Sequence, residues 1–267
     1  MNSKKWISGS IGTLGIILVW WLVAATMFRN TPKGATESVG AIPTPLEVLL
    51  QFGQDGIGFF AKNASVTLIE AGLGFLWGNL AALALAAVAL VVPKLENLAT
   101  QIAVITYCIP IVAIGPIIRL VVGAPGPGEP AGAAISLAAL SVFFTTMIGA
   151  MTGVKSADKA ALDVVTVFGG NAWHRLVKVQ LLSALPSILA ALRIAAPAAF
   201  LGAILGEYVG GPDIGFGPAM VNAQQSLEVA RVWALALVSG AIAGGAYALV
   251  GLIAKIVTPW SKGTVGA

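Results

Sequence analysis

The chain has 267 residues, of which 58% are hydrophobic and only 10% are charged, and its formal net charge is +4. Soluble domains carry about 25% charged residues, so this chain has too little polar surface for an ordinary water-soluble protein. The small positive charge lies mostly in short connecting segments and does not indicate a nucleic-acid partner.

Six apolar stretches are long enough to cross a bilayer, for which a helix needs about 20 residues. The first follows Lys4 and Lys5 and is longer than the apolar part of a secretory signal, so we expect it to be retained. The sequence therefore predicts an all-α polytopic membrane protein with six transmembrane helices, in which residues 1–267 form a single domain. The predicted spans are 6–28, 66–92, 98–122, 131–154, 188–208 and 232–257.

The distribution of Lys and Arg predicts the orientation of the chain. An even number of spans places both termini on the same side of the membrane. If that side is the cytoplasm, more Lys and Arg residues fall inside than outside, as the positive-inside rule requires. The segment 155–186 is then cytoplasmic, and the connections on the other side are the polar segment 29–65 and the Gly- and Pro-containing segments 123–130 and 210–230.

Few ionisable or helix-breaking residues interrupt the spans. Glu70, Arg193 and Glu207 fall near predicted span ends, where each can snorkel to the interface or pair with a neighbour without a role in transport. Pro110 and Pro116 lie in the third span. They either unwind that span and expose backbone polar groups to a water-lined path or form simple tolerated kinks. They are the candidate residues of a translocation path.

Motifs for ATP binding and for common catalytic sites are missing from the sequence. It contains no G-x-x-x-x-G-K-[ST] phosphate loop, no G-x-S-x-G elbow and no H-E-x-x-H motif. The only histidine, His174, cannot form a His-rich metal site. We therefore expect that the chain is not an enzyme and that any ATP is bound by another subunit.

The segment 155–186 is a polar island between the fourth and fifth spans. Ser156 or Asp158 can cap a short helix, Gly169-Gly170 ends this helix, and Asn171 can cap a second one. The mixed apolar and basic side chains of the island suit docking into a groove of a partner. An amphipathic hairpin that lies on the membrane surface is the alternative.

This island resembles the cytoplasmic EAA loop of bacterial ABC importer permeases, which reads Glu-Ala-Ala, three residues, Gly, nine residues, then Ile-x-Leu-Pro. The positions of the Glu, the two Ala and the Gly are held by Asp163, Val164, Val165 and Gly169. Leu182 replaces the first proline of the family's usual pair, whereas the later one is kept as Pro186, which marks the entry into the fifth span.

The resemblance extends over nearly the whole chain, which is similar to the nitrate, sulfonate and taurine group of these permeases. Matching segments follow in the expected order: 41–48, 64–75, 107–116, 143–156, 192–195 and 215–217. Glu207 also matches, whereas Glu70 stands where the group commonly has a basic residue.

The resemblance implies a transmembrane permease subunit of an ATP-driven importer for a small solute such as nitrate, sulfonate, taurine or a related compound. It implies a bacterial-type inner (plasma) membrane, a second permease subunit, often an identical copy, two ATPase subunits and an extracytoplasmic solute-binding protein. ATP and Mg would be bound by the ATPase subunits, so no cofactor is expected on this chain.

The resemblance also assigns a role to the island, in which the short helix after Gly169 would be the coupling helix. The candidate ATPase-coupling residues are Asp163, Gly169, Gly170, Asn171, Ala172, Trp173, His174 and Arg175. Trp173 is either a docking anchor or a membrane-surface anchor. His174 is interpreted as a surface contact rather than a pH sensor.

Two other functions are consistent with the composition. A self-sufficient secondary carrier or channel would move solute with an ion gradient alone, but such carriers usually need ionisable groups deep in the membrane. A membrane scaffold without a transport role is the third hypothesis.

Overall fold

The computed structural model describes residues 3–26, 32–33, 37–38, 42–126, 128–210 and 212–261, and these residues are almost wholly helical. They include one pair of two-residue antiparallel strands, β1 (Pro32–Lys33) and β2 (Glu37–Ser38). The all-α fold class is therefore confirmed. The helices are α1 (Ser3–Thr26), α2 (Pro45–Val91), α3 (Glu96–Cys108), α4 (Ile111–Val122), α5 (Gly132–Lys155), α6 (Lys159–Val167), α7 (Ala172–Arg175), α8 (Leu181–Tyr208), α9 (Phe216–Gln225) and α10 (Val229–Val257).

Five helical stretches in the described part of the chain are long and apolar enough to cross a membrane. They lie in α1, in α2, in α5, in the stretch from Trp173 to the end of α8, and in α10. The pair α3 and α4 supplies a sixth stretch, but the two helices are bent by 97° relative to each other. These stretches follow the order of the six predicted spans, although several bounds differ.

The core lies where α5 packs between α2 and α8. Glycines let these helices approach closely, because a Cβ at Gly74 or Gly78 of α2 would collide with the backbone of α5, as would one at Gly202 or Gly206 of α8. Small residues at helix contacts are typical of membrane bundles, in which close packing replaces the hydrophobic drive between helices. The bundle around α5 is therefore tightly packed.

The second predicted span, 66–92, covers only the later part of α2, which begins at Pro45. Thr44 and Glu47 form a capping box, in which the Thr44 hydroxyl accepts from the Glu47 N–H (3.3 Å) and the Glu47 carboxylate accepts from the Thr44 N–H (2.6 Å). Gly56, with φ of +72°, kinks the helix. The part of the polar segment 29–65 from Pro45 onward is therefore helical and continuous with the second predicted span.

The third predicted span, 98–122, is not one straight helix. Ile109 is extended, and Pro110 is the N-cap residue of α4. Because Pro110 has no N–H, it cannot donate to the carbonyl of Thr106, and the helix ends there. Pro116 lies inside α4 without ending it. Pro110 therefore breaks the span, whereas Pro116 is tolerated.

The fifth predicted span, 188–208, lies within a longer helical stretch. The helical path runs from α7 through a π-helical turn, Leu176–Gln180, into α8, so Pro186 lies inside a helix instead of marking its entry. Membrane helices tolerate proline when neighbouring groups satisfy the freed backbone carbonyl. The connection 210–230 also contains structure, since α9 lies within it.

Candidate functional site

The polar island 155–186 folds as two short helices joined by a glycine turn. α6 begins after Asp158, whose carboxylate accepts a hydrogen bond from the N–H of Ala160 (3.1 Å), so Asp158 rather than Ser156 is its cap. α7 follows the turn and continues without a break toward α8. A displacement of α7 would therefore be transmitted directly to a membrane helix.

Gly169 and Gly170 form the turn for different reasons. Gly169 has φ of +78°, a left-handed conformation that strains any residue with a Cβ. Gly170 donates its N–H to the carbonyl of Val165 (2.8 Å), and a Cβ at Gly170 would collide with that carbonyl group. Both predicted glycines are thus required by the local backbone geometry.

Asn171 caps the second helix, as predicted. Its Oδ1 accepts a hydrogen bond from the N–H of His174 (3.1 Å) and lies 2.7 Å from Nδ1 of the same residue. The backbone of Ala172 begins α7, and the His174 side chain is exposed. The cap therefore fixes the start of α7 and the orientation of the imidazole together.

Three large apolar side chains at the turn face outward, and we call them the tip surface: Val167, Phe168 and Trp173. Their exposed fractions are 83%, 87% and 64%, respectively. Trp173 is the predicted docking anchor, whereas Val167 and Phe168 are missing from the predicted contact residues. The sequence feature that could have identified these two contact residues is that they form an apolar pair at the end of a predicted helix, directly before Gly169-Gly170.

A cleft of about 710 Å³ separates the island from the end of α2. The lining residues are Leu90, Val91, Leu162, Asn171, Trp173, Arg175, Leu176 and Gln180. Asp163 lies outside the cleft, where it is exposed and forms no ion pair with any other described residue. The structure therefore brings three of the predicted contact residues to one cleft and leaves Asp163 apart from them.

A second cavity, of about 410 Å³, lies at the break between α3 and α4, and we call it the break cavity. Its lining residues are Thr106, Tyr107, Cys108, Ile109, Pro110, Ile111, Ile114, Leu140, Ser141, Ala198, Leu201 and Leu205. The carbonyl of Thr106 has no helical donor at Pro110, and Thr106, Tyr107 and Ser141 bring hydroxyl groups to the lining. The cavity is thus apolar with a few polar groups.

The two predicted path residues are placed differently. Pro110 lines the break cavity, whereas Pro116 lies on an exposed turn of α4 and does not line it. None of the described residues that line the cavity is charged. Cys108, the single cysteine of the chain, is exposed and lines the cavity.

A cluster of buried polar groups lies at the other end of α8 from the tip surface, and we call it the carboxylate cluster: Asn63, Thr67, Glu70 and Glu207. The successive N–H groups of residues 215–217 donate to Asn63 Oδ1 (3.1 Å), Thr67 Oγ1 (3.0 Å) and Glu207 Oε2 (2.6 Å). The Thr67 hydroxyl donates to Glu207 Oε1 (2.7 Å). These bonds tie α2, α8 and the start of α9 together.

Glu70 extends the carboxylate cluster to α5. Its Oε1 accepts the N–H of Ala131 (2.6 Å), its carboxyl group lies beside that of Glu207, and its Oε2 has no donor among the described residues. Glu70 and Glu207 are only 0% and 2% exposed. Neither side chain snorkels, so of the two alternatives drawn from the sequence the pairing with neighbours is the one found.

An ion pair stabilises the same region. Arg231, near the start of α10, donates from Nη2 to Asp55 Oδ1 of α2 (2.6 Å) and also pairs with Glu228. The Asp55 side chain is almost fully buried. Because both ends of this bond are held by helices, it fixes α10 against α2.

Comparisons with known proteins all point to one family of membrane transport proteins. Residues 74–262 match the family model described as binding-protein-dependent transport system inner membrane component. A probable ABC transporter permease protein of Haemophilus influenzae is 29% identical over 229 residues, covering 84% of this chain and 86% of that protein. The putative aliphatic sulfonates transport permease protein SsuC of Bacillus subtilis is 25% identical over 271 residues, covering 98% and 90%.

A solved structure has the same fold. It is described as the crystal structure of an amino acid ABC transporter with histidines, and its similarity to this chain has a TM-score of 0.59 at 14% sequence identity. The similarity covers 78% of this chain and 95% of that chain. At this identity the likeness extends to the fold alone.

Proposed function

Because this chain belongs to the family of binding-protein-dependent transport inner membrane components, the permeases of ABC transporters, we propose that it forms the solute path of an ATP-driven importer. In this proposal the chain acts with a second permease subunit, two ATPase subunits and an extracytoplasmic solute-binding protein. ATP and Mg are bound by the ATPase subunits. The chain lies in a bacterial-type inner membrane with both termini in the cytoplasm.

The observation that carries the proposal is the tip surface. Trp173, Phe168 and Val167 expose large apolar areas on a turn whose shape is fixed by two glycines and an Asn cap. Aromatic side chains presented on a rigid element are the usual anchors of protein interfaces. The ATPase subunit is the partner that fits, because its ATP-driven movement must reach the membrane helices.

The coupling follows from the connection of α7 to α8. A partner that grips the tip surface moves α7, and the continuous helix transmits this movement to α8, which lines the break cavity through Ala198, Leu201 and Leu205. Arg175 and His174 add basic and polar contacts beside Trp173, and the exposed Asp163 adds an acidic one. One rigid element thus joins the proposed ATPase contact to the proposed solute path.

The break cavity supports the proposed solute path. Its apolar wall, its hydroxyl groups and the absence of a charged side chain among its described lining residues suit a small solute that passes without being held by a fixed charge. The SsuC permease is named for aliphatic sulfonates. We propose a solute of the nitrate, sulfonate and taurine range or a related compound, selected mainly by the solute-binding protein.

The test is reconstitution of the chain with its ATPase and solute-binding protein in proteoliposomes. We expect solute uptake and solute-stimulated ATP hydrolysis that both depend on ATP and on the presence of all subunits. Trp173→Ala should weaken the contact between the permease and the ATPase subunit and lower the stimulated hydrolysis at least tenfold. An anchor of this kind contributes about 2 kcal/mol or more to the free energy of binding. Uptake by the chain alone under an ion gradient would instead support a secondary carrier.

The matched control is Trp260→Ala. Trp260 is 60% exposed, close to the 64% of Trp173, but it lies in the turn after α10 and outside the tip surface. We expect this variant to keep the stimulated hydrolysis of the wild type. Equal losses in both variants would show that general aromatic exposure, and not the tip surface, is what matters.

A further inference from the structure

Arg193 is an unpaired cation on a helix of the membrane bundle. Its guanidinium lies with Cζ 4.0 Å from the ring centroid of Tyr247, and its Nε is buried without a hydrogen-bond partner among the described residues. It forms no ion pair with any residue in the described part of the chain. Because a cation in a membrane segment is costly unless an anion or polar group balances it, Arg193 requires a partner from outside these residues.

The groove between α8 and α10 is shaped for this side chain. A Cβ at Gly251 would lie 2.8 Å from Nε and 3.0 Å from Cζ of Arg193, so the guanidinium packs directly against the glycine backbone of α10. Tyr247 lies one turn before Gly251 on α10 and stacks on the guanidinium plane. Two residues of α10 therefore hold the Arg193 side chain in the groove between α8 and α10.

The groove has positive charge and no negative charge from its own helices. α10 contains no acidic residue, and the only acidic residue of α8 is Glu207, which lies fourteen residues beyond Arg193, about 21 Å along the helix. Lys255 lies one turn beyond Gly251, is exposed and has no ion pair with a described residue. Arg193 and Lys255 thus lie at the same end of the groove, and neither has a counter-ion among the described residues.

Exposed apolar side chains flank the groove. Leu252 follows Gly251 on α10, and Ile194 follows Arg193 on α8. In a membrane protein such side chains contact the acyl chains of lipid. A ligand that balances Arg193 must therefore combine a negative head with apolar chains.

We propose that Arg193 and Lys255 bind the phosphate group of an anionic phospholipid in the groove between α8 and α10. The guanidinium donates paired hydrogen bonds to the phosphate oxygens, and the ammonium of Lys255 adds a second charge from the end of the helix. The long Arg193 side chain reaches toward the headgroup region while its stem stays in the groove. The acyl chains pack beside Leu252 of α10 and Ile194 of α8. Basic pockets between membrane helices are known to hold anionic headgroups in this manner.

The test uses the purified transporter complex and measures the dissociation constants of phosphatidylglycerol and phosphatidylcholine by native mass spectrometry. We expect Arg193→Gln to weaken phosphatidylglycerol binding about five- to tenfold and to leave phosphatidylcholine binding unchanged. Arg193→Lys, which keeps the charge, should lose less. Lys155→Gln removes a cation that is already paired with Glu96 and serves as the matched control, with no change expected.

Four results would overturn the proposal. One is equal phosphatidylglycerol affinity in the wild type and Arg193→Gln. A second is equal weakening of both lipids, which would indicate general damage to the helix packing. A third is complete competition by inorganic phosphate, which would assign the site to a free anion. A fourth is that the wild-type complex does not prefer phosphatidylglycerol, as expected if another subunit covers Arg193.

Discussion

The carboxylate cluster and the tip surface lie at opposite ends of α8 and are built in opposite ways. In the carboxylate cluster, Thr67 and Glu207 are buried, and their oxygens accept hydrogen bonds from the backbone of residues 215–217. At the tip surface, Phe168 and Trp173 are exposed apolar side chains on a short turn. The first region satisfies polar groups inside the protein, whereas the second leaves apolar groups without a cover.

Because of this difference, substitutions in the two regions should have different effects, on stability in one and on partner binding in the other. Removing a partner from a buried hydrogen-bond network leaves other groups unsatisfied and destabilises the fold. Removing an exposed apolar side chain costs the isolated chain little but removes contact area from a complex. Variants in the carboxylate cluster should therefore change unfolding, and variants in the tip surface should change ATPase binding.

The largest expected effect is on stability, in Glu207→Leu. The change leaves the Gly217 N–H without its acceptor and the Thr67 hydroxyl with only the more distant carbonyl of Asn63 (3.3 Å), and we expect the free energy of unfolding to fall by roughly 3 kcal/mol. Thermal unfolding of the detergent-solubilised chain, followed by circular dichroism, measures this loss. Glu207→Gln keeps an acceptor oxygen and should lose much less. Equal stability of Glu207→Leu and the wild type would contradict the role of the cluster.

The next effect is on partner binding, in Phe168→Ala. Loss of an exposed aromatic anchor should weaken the affinity for the ATPase subunit by about tenfold or more, while the unfolding temperature stays unchanged. Ile57→Ala is the control, because Ile57 is also 87% exposed but lies on α2, far from the tip surface in the chain. Binding measured by surface plasmon resonance should be normal in that variant. If both variants bind alike, Phe168 is not a contact residue.

A smaller effect is expected at the turn, in Gly169→Ala. The left-handed backbone of Gly169 makes a Cβ cost about 1 kcal/mol, so the turn should distort and ATPase affinity should fall roughly fivefold. Gly244→Ala is the control, because Gly244 lies in α10 with an ordinary backbone and open space around it. Solute-stimulated ATP hydrolysis, which requires that the ATPase is bound, is measured for both variants. A fully active Gly169→Ala protein would show that the fixed turn is not needed.

The smallest expected effect is on the rate at which Cys108 is chemically modified, which is measured without a substitution in the chain. Cys108 is the single cysteine and lines the break cavity, so a membrane-impermeant methanethiosulfonate reagent should modify it in the reconstituted complex. If the movement of α7 reaches the cavity through α8, ATP hydrolysis should change the modification rate. Val112→Cys in a Cys108→Ala background is the control, since Val112 is exposed but does not line the cavity. A Cys108 rate that is independent of ATP would argue against the proposed coupling.

Local patterns in the sequence were enough to predict the helical membrane fold and the geometry of the turn. Apolar stretches of sufficient length indicate spans because the bilayer sets their length. Gly169-Gly170 and Asn171 act through neighbouring backbone groups, so their positions can be read from the chain itself. The same reasoning failed at Pro45, where a capping box extends α2 into a segment interpreted as a connection.

Long-range features could not be predicted in this way. Glu207 accepts a hydrogen bond from Thr67, which is 140 residues away in sequence. No local sequence pattern therefore indicates the carboxylate cluster. Both Pro110 and Pro116 could have broken the third span, and the structure places the 97° bend at Pro110 while Pro116 lies inside α4. Phe168 is missing from the predicted contact residues because the sequence does not show which apolar side chains of a short helix face outward, whereas the fold shows that Phe168 is exposed.

The most direct test of the tip surface as the ATPase contact is site-specific photo-crosslinking. A benzophenone amino acid replaces Trp173 in the reconstituted transporter, and the same replacement of Trp260 serves as the control. We predict that the probe at position 173 forms an adduct with the ATPase subunit and that the probe at position 260 does not. Adducts of the probe at 173 with lipid alone, while the ATPase remains bound, would contradict the account and support a hairpin that lies on the membrane surface.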